Sequence, residues 1–345
     1  MRILVIRRDN IGDLVCATPL LAALRARYPD GHLAALVNSY NAGVLEGNPD
    51  LDAVHSYTKL KHRSRGDSWF GVLVRRYRTL AALRRQGFDC VVLAKSGFDR
   101  HGLTLARQIR PRHIVGFAPE PGQRAGALTD PVAPVAFEQM HEVESTMKLG
   151  APLGVDGPPG RLKVVASPAR VAEWRERFPM LAQPGGKPWI ALHISARVPS
   201  SVWPIERFIE LARTLARDAG IVLLWSPGAA DDPRHPGDDA KAAAFATRVG
   251  PQVRLIPAKT QALGDLIAVL SLCRGFIGAD GGAMHVAAGL GLPMVALFGN
   301  LPAKKRQWHP WQVPHEVVSG ETREVAAIAV EQVAQAWARV SSRPS

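Results

Sequence analysis

At 345 residues, with 47% hydrophobic and 21% charged residues, the chain suits two domains of about 150–170 residues and is neither disordered nor fibrous in composition. Lys and Arg number 43 against 30 Asp and Glu, and the formal charge of +13 points to anionic partners. No apolar run nears the ~20 residues of a membrane-spanning helix, and MRILVIRRDN lacks the long apolar core of a secretory leader, so a cytoplasmic location is expected.

The chain opens with RILVI (2–6), a buried strand, followed by the turn DNIGD and a helix predicted over 14–28 that Tyr28-Pro29-Asp30-Gly31 stops. HLAALV (32–37) is a second strand. Residues 59–85 then carry nine Lys/Arg against one acid, Asp67, so the positive charge is a patch. Within it a basic helix is predicted over 69–87, with Leu80 and Leu83 among the apolar side and arginines on the other. Strands follow at 88–94 and 113–117. Residues 118–137 dissolve into Pro, Gly and Ala and are expected to be loop, a short helix covers 138–149, and GAPLGVDGPPG (150–160) is expected to link two domains.

Alternation then restarts: strands at 189–194, 221–226, 253–257, 275–280 and 293–299, with helices at 204–219, 238–248, 261–273 and 283–291. Residues 322–340 read as a long amphipathic helix. Strand–helix alternation predicts an α/β chain of two doubly wound parallel sheets. The expected boundaries are 1–155, 156–322 and a C-terminal helix, 323–345, that returns to the N-terminal domain. Cys16, Cys90 and Cys273 lie singly in apolar stretches, which suggests buried thiols rather than a disulfide framework or zinc site. The first strand is not followed by GxGxxG, which argues against an NAD-binding oxidoreductase.

The stretch GFIGADGGAMHVAAGLGLPMVALFG (275–299) is the most informative. An apolar strand ends at Asp280, Gly281 and Gly282 follow, and a helix begins near Ala283. A helix N-terminus at a parallel strand end offers unpaired N–H groups and a positive dipole end to an anion. Met284 and His285 fall on its first turn. A plain β–α turn, capped by Asp280 with His285 at the surface, has the same pattern.

This stretch, with RRDNIGDLVCATPLLAALR near the start, resembles the ADP-heptose:lipopolysaccharide heptosyltransferases of glycosyltransferase family 9. The resemblance implies a GT-B fold, with two Rossmann-like domains facing across a cleft. It also implies inverting transfer of a sugar, heptose from ADP-heptose, to an acidic sugar of the lipopolysaccharide inner core. Asp13, after Gly12, takes the place of the family's general base. Asp9 is a nearby rival, and Asp13 is also spaced to cap the helix. Asn10 and Gly12, with Lys61, Arg63 and Arg65 from the basic segment, are expected to face an anionic, lipid-linked saccharide acceptor. The same patch suits an anionic membrane surface at the cytoplasmic face of the inner membrane, or it is a solvated helix face. Nucleic acid is not expected, since no recognition motif accompanies the charge.

On the donor side, HISARVPSSVWPIERF (193–208) resembles the family's phosphate loop, and Ser195, Arg197, Ser200 and Ser201 are its candidate donors. Family members carry Lys or Arg just before the Trp; here Ser201 and Val202 precede Trp203, and Arg197 is the expected substitute. LLWSPGAADDP (223–233) resembles the ribose-binding loop, which nominates Asp232, with Asp231 adjacent. Thr260, between Lys259 and Gln261, is expected to border the base. Asp280, Gly281, Gly282, Met284 and His285 complete the donor set, with Gly281 where many members have Thr or Ser. The 11 histidines are dispersed and no acid pair has metal-ligand spacing, so metal-independent transfer is expected, with the nucleotide-sugar as substrate and no cofactor. Three alternatives stay open: transfer of another nucleotide-sugar in cell-surface polysaccharide synthesis, a GT-B-fold nucleotide-sugar epimerase, and a non-catalytic anion- or membrane-binding protein.

Overall fold

Short runs rich in Val, Ile, Leu and Ala form buried strands, and a parallel sheet of such strands requires a crossover between each pair. The computed structural model of the chain describes residues 1–57, 69–120, 126–183, 185–232 and 236–343. They form two compact units, Met1–Lys163 and Val164–Ser345. In the first, β1 (Arg2–Arg7), β2 (His32–Asn38), β3 (Ala53–Tyr57), β4 (Cys90–Leu93), β5 (His113–Phe117) and β6 (Asp130–Val132) pair in parallel in the order β3-β2-β1-β4-β5-β6. Helices α1 (Ile11–Cys16), α2 (Thr18–Arg27), α3 (Trp69–Gln86), α4 (Arg100–Ile109) and α5 (Glu142–Met147) connect or flank them. Leu4, Ile6, Leu36, Val91, Leu93, Leu83 and Leu105 lie in its core.

The second unit begins with α6 (Pro168–Arg177) and repeats the plan. Its strands are β7 (Trp189–His193), β8 (Gly220–Leu224), β9 (Leu255–Pro257), β10 (Gly275–Ala279), β11 (Met294–Leu297) and β12 (His315–Val318), in the order β12-β11-β10-β7-β8-β9. Its further helices are α7 (Ile205–Leu215), α8 (Asp239–Arg248), α9 (Leu263–Ser271), α10 (Gly282–Gly289), α11 (Pro302–Trp308) and α12 (Val330–Ser341). In each unit the strand order reverses beside the first strand, between β1 and β4 and between β7 and β10. Ligands of open α/β sheets bind outside the strand C-termini at such reversals.

Several predicted elements change in detail. The helix expected over 14–28 starts at Ile11 and breaks at Ala17, because Pro19 has no N–H for the Val15 carbonyl. The Thr18 hydroxyl donates to that carbonyl instead, at 2.6 Å. Residues 130–132, expected in a loop, form the edge strand β6, the one sheet position that tolerates Pro131. The α-helix of 138–149 shrinks to α5, and the linker segment starts inside a 3-10 turn, Lys148–Leu153, whose Leu149 and Leu153 are buried. Residues up to Lys163 stay with the first unit: the Lys163 N–H donates to Thr18 Oγ1 (3.0 Å) and its ammonium pairs with Asp50 (2.6 Å).

The C-terminal helix, expected to return to the first domain, packs on its own unit. Val333, Ala336 and Val340 enter the second unit's core, and the Trp337 ring lies where any Cβ on Gly275 would stand. It also starts only at Val330, since Ile328 gives its carbonyl to the Trp203 indole N–H (3.0 Å). β3, α4, α6, α11 and β12 have no counterpart in the sequence prediction.

Thr18, fully buried, thus donates one hydrogen bond and accepts another. Thr18→Val keeps the shape and loses both, so it is expected to destabilise the first unit by about 2 kcal/mol. Urea unfolding followed by circular dichroism checks this, and an unchanged midpoint would refute it.

Candidate functional site

At the reversal point of the first unit, β1 ends in a charge. Arg7 is 2% exposed, and its Nη2 reaches both Asp13 Oδ1 (2.9 Å) and Glu142 Oε1 (2.8 Å). Its Nε lies 3.5 Å from Asp9 Oδ2, and its Nη1 donates to the Ala94 carbonyl at the end of β4. Burial alone would lower the Arg7 pKa, but Glu142, Asp13 and Asp9 together outweigh it and raise the value, so the guanidinium stays charged. Glu142 is as buried as Arg7 and opens α5.

Asp13, the expected base, is 16% exposed and uses its two oxygens differently. Oδ1 takes Arg7, while Oδ2 accepts the Asn10 N–H at 3.0 Å. The capping role considered for Asp13 is therefore present, and it fixes the carboxylate without enclosing it. Asn10 itself is exposed at the head of α1, and Gly12 is buried in its first turn. Asn41, fully buried, donates to the Asp9 and Asn10 carbonyls (3.0 and 3.4 Å) and holds the β1–α1 turn in place. Lys61, Arg63 and Arg65 lie outside the described residues. On α3, Arg75, Tyr77, Arg78, Arg84 and Arg85 are exposed, Tyr77 by 75%.

In the second unit the loops after β7 and β10 flank the reversal point. Ser195 Oγ accepts the Ser226 N–H (2.8 Å), which ties the β7 loop to the β8 loop and leaves the hydroxyl hydrogen available. Arg197 is exposed, Ser200 half-buried and Ser201 buried in the 3-10 turn Pro199–Ser201. Trp203 is an anchor: 2% exposed, edge-on to Phe208 at 4.7 Å. His193, at the end of β7, is pushed down to about 4, chiefly by burial with Asp238 opposing, and is neutral at pH 7.

β10 delivers Asp280 to the strand end, where its N–H donates to the Leu297 carbonyl (3.1 Å). Gly281 caps α10 and is exposed, with an extended backbone (φ 166°) and open space where a Cβ would stand. Gly282 starts the helix. Met284 is fully buried, so that position presents only backbone to a ligand. His285, 2% exposed, is not the surface residue of the plain-turn alternative: its Nε2 sits 3.8 Å from Asp280 Oδ1, with the ring edge-on to Trp308. Lys304 of α11, which sequence reasoning missed, sets its ammonium 2.9 Å from Asp280 Oδ2.

Asp232 is half-buried in the β8 loop, and Thr260 is buried at the end of β9. Lys259 is engaged by Asp239 (2.8 Å), which also accepts the Trp225 indole N–H (2.7 Å). Those two donors hold the Asp239 carboxyl below its ordinary range, Lys259 foremost. Among the described residues no three His, Cys, Asp or Glu side chains converge as metal ligands.

Two parallel six-stranded sheets of Rossmann order, each with its charged groups at the reversal point, define a GT-B fold. The sequence matches the family model for glycosyltransferase family 9 (heptosyltransferase) over residues 76–338, and the chain belongs to that family of glycosyltransferases. It is 23% identical over 302 residues to a lipopolysaccharide heptosyltransferase 3 of Escherichia coli, covering 87% of this chain and 83% of that one. A glycosyltransferase family 9 structure from Veillonella parvula superposes with a TM-score of 0.82 at 22% identity, over 98% of this chain and 96% of that one. The E. coli ADP-heptose lps heptosyltransferase II gives 0.76 at 21%, over 99% and 98%.

Neither Arg7 nor Glu142 was nominated from sequence, although an arginine closing an apolar strand was a signal. Arg7→Met is expected to destabilise the first unit by about 3–5 kcal/mol, since it leaves Asp13 and Glu142 charged and unpaired. Adding Glu142→Gln should recover part of the loss. If urea midpoints show no recovery, Glu142 is not the charge that Arg7 balances.

Proposed function

We propose that the chain transfers heptose from ADP-heptose to an acidic sugar of the lipopolysaccharide inner core, with inversion and without a metal. The observation that supports it most directly is the end of β10, where an exposed glycine cap opens α10 beside Asp280, His285 and Lys304. Backbone N–H groups there suit the donor diphosphate, and Ser195, Arg197, Ser200 and Ser201 add side-chain donors. Asp232 would accept from the ribose hydroxyls and Thr260 would border the base. The heptosyltransferase names of the relatives support heptose as the sugar and lipopolysaccharide as the acceptor class.

Asp13 is the general base. As the acceptor oxygen bonds to the anomeric carbon, its proton passes to Asp13 and the anomeric C–O bond to the diphosphate breaks, releasing ADP. A carboxylate with one oxygen on Arg7 and the other on a backbone N–H is oriented before the acceptor arrives. Asn10, Gly12, Lys61, Arg63 and Arg65 would contact the anionic acceptor. The exposed arginines of α3 would suit an anionic lipid surface, and indifference of vesicle co-sedimentation to anionic lipid would dismiss the membrane contact. No helix among the described residues is long and apolar enough to cross a membrane.

Calorimetry with ADP, GDP, UDP and dTDP is expected to show preference for ADP. Asp13→Asn and Asp13→Ala should bind ADP as the parent does while transfer falls by roughly 10²–10⁴-fold. Turnover by both variants at the parental rate would remove Asp13 as the base, and preference for another nucleotide would remove ADP-heptose as donor.

A further inference from the structure

Helix α11 carries three consecutive cations, Lys304, Lys305 and Arg306, in three different settings. Lys305 is structural: its ammonium donates to Asn300 Oδ1 and Ser319 Oγ, both at 3.2 Å. Asn300 is itself fixed, with its N–H on the Thr322 carbonyl (2.9 Å) and its amide on the Glu321 carbonyl (3.3 Å). At the C-terminal end of the helix, Trp308 abuts the His285 ring at 5.7 Å. Arg306 is exposed. α11 is therefore held at its middle by Lys305 and at its C-terminal end by Trp308, which determines where Lys304 points.

Lys304 points at the head of α10. Its ammonium is 2.9 Å from Asp280 Oδ2, and the pair straddles the surface, Lys304 being 34% and Asp280 12% exposed. A half-exposed pair of this kind adds little to stability. An ammonium has three N–H donors, and one carboxylate oxygen does not exhaust them. Gly281, the residue after Asp280, leaves the approach open. A cation is thus held by a carboxylate at the rim of an anion site that Val202 leaves without a basic neighbour before Trp203.

We propose that Lys304 is a donor-binding residue, whose ammonium, positioned by Asp280, contacts the diphosphate of the nucleotide-sugar and carries part of its charge as it leaves. The assignment rests on the donor reading of α10 given above. It differs from the sequence expectation, in which Arg197 supplied the missing charge.

The test uses Lys304→Ala and Lys304→Arg in the full chain. The ligands are the nucleoside diphosphate that the parent binds best among ADP, GDP, UDP and dTDP, and its parent nucleoside. Lys304→Ala is expected to raise the Kd for the diphosphate roughly 10- to 100-fold, the loss of one charge-assisted contact. It should leave the nucleoside Kd and the Tm unchanged, and lower kcat/KM for the donor at least as much. Lys304→Arg should restore most of the loss. Diphosphate binding by Lys304→Ala at the parental Kd overturns the role of Lys304 alone, as does equal weakening of nucleoside and diphosphate. A parent chain that binds none of the four diphosphates overturns the donor site itself, and Lys304 with it.

Discussion

A parallel sheet cannot be closed by hairpins, and that constraint organises both units. Each strand is reached by a crossover, so the helices cover the faces and all the strand C-termini emerge on one side. Where the winding reverses, beside β1 and beside β7, the neighbouring loops part and leave strand ends and helix starts uncovered. Asp13 and Asp280 occupy such positions, Asp13 in the first turn of α1 after β1 and Asp280 directly after the fully buried β10. The rigidity of the strand is what gives each carboxylate a defined place.

The two positions solve opposite electrostatic problems. In the first unit the carboxylate proposed as the base stands beside a buried cation. Arg7 divides its charge among Asp13, Glu142 and Asp9, so no single carboxylate receives all of it. In the second unit the N-terminus of α10 offers partial positive charge, and Asp280 would repel an anion there were it alone. Lys304 neutralises it at 2.9 Å, and His285 closes the other side at 3.8 Å. A surplus of carboxylates around one cation suits acceptance of a proton; a carboxylate offset by neighbouring cationic and N–H donors suits an anion.

What was legible in the sequence follows from how local its cause is. β1, β7, β10 and β11 are uninterrupted apolar runs ending in turn residues, and those runs alone specify buried strands. β6 is three residues long with a proline in the middle, stable only because β5 is beside it, and no local pattern announces that. The α1–α2 break was readable at Pro19, but its repair by Thr18 was not. At the sites, Asp13 and Asp280 lie within turns that the resemblance covers. Arg7 and Glu142 are 135 positions apart, and only the packing of α5 brings them together. Lys304 is likewise presented by α11, which Lys305 holds at its middle and Trp308 at its C-terminal end.

Gly281 separates what the backbone demands from what the ligand demands. A glycine at a helix cap is often required by a positive φ, but here the backbone is extended at φ 166°, a conformation open to any residue. Nor is it required by crowding, since a Cβ at this position meets nothing within 4 Å. The hydroxyl residue that the family resemblance leads one to expect would fit without strain, so its absence is not explained by the fold. The difference is confined to chemistry: one side-chain donor fewer at the mouth of α10, in a chain that also lacks a basic residue before Trp203. Both differences fall in segments proposed to hold the diphosphate, and Lys304 is a cation that the fold brings beside Asp280. The charge at the proposed site is therefore assigned to a residue that follows the signature stretch rather than to one within it.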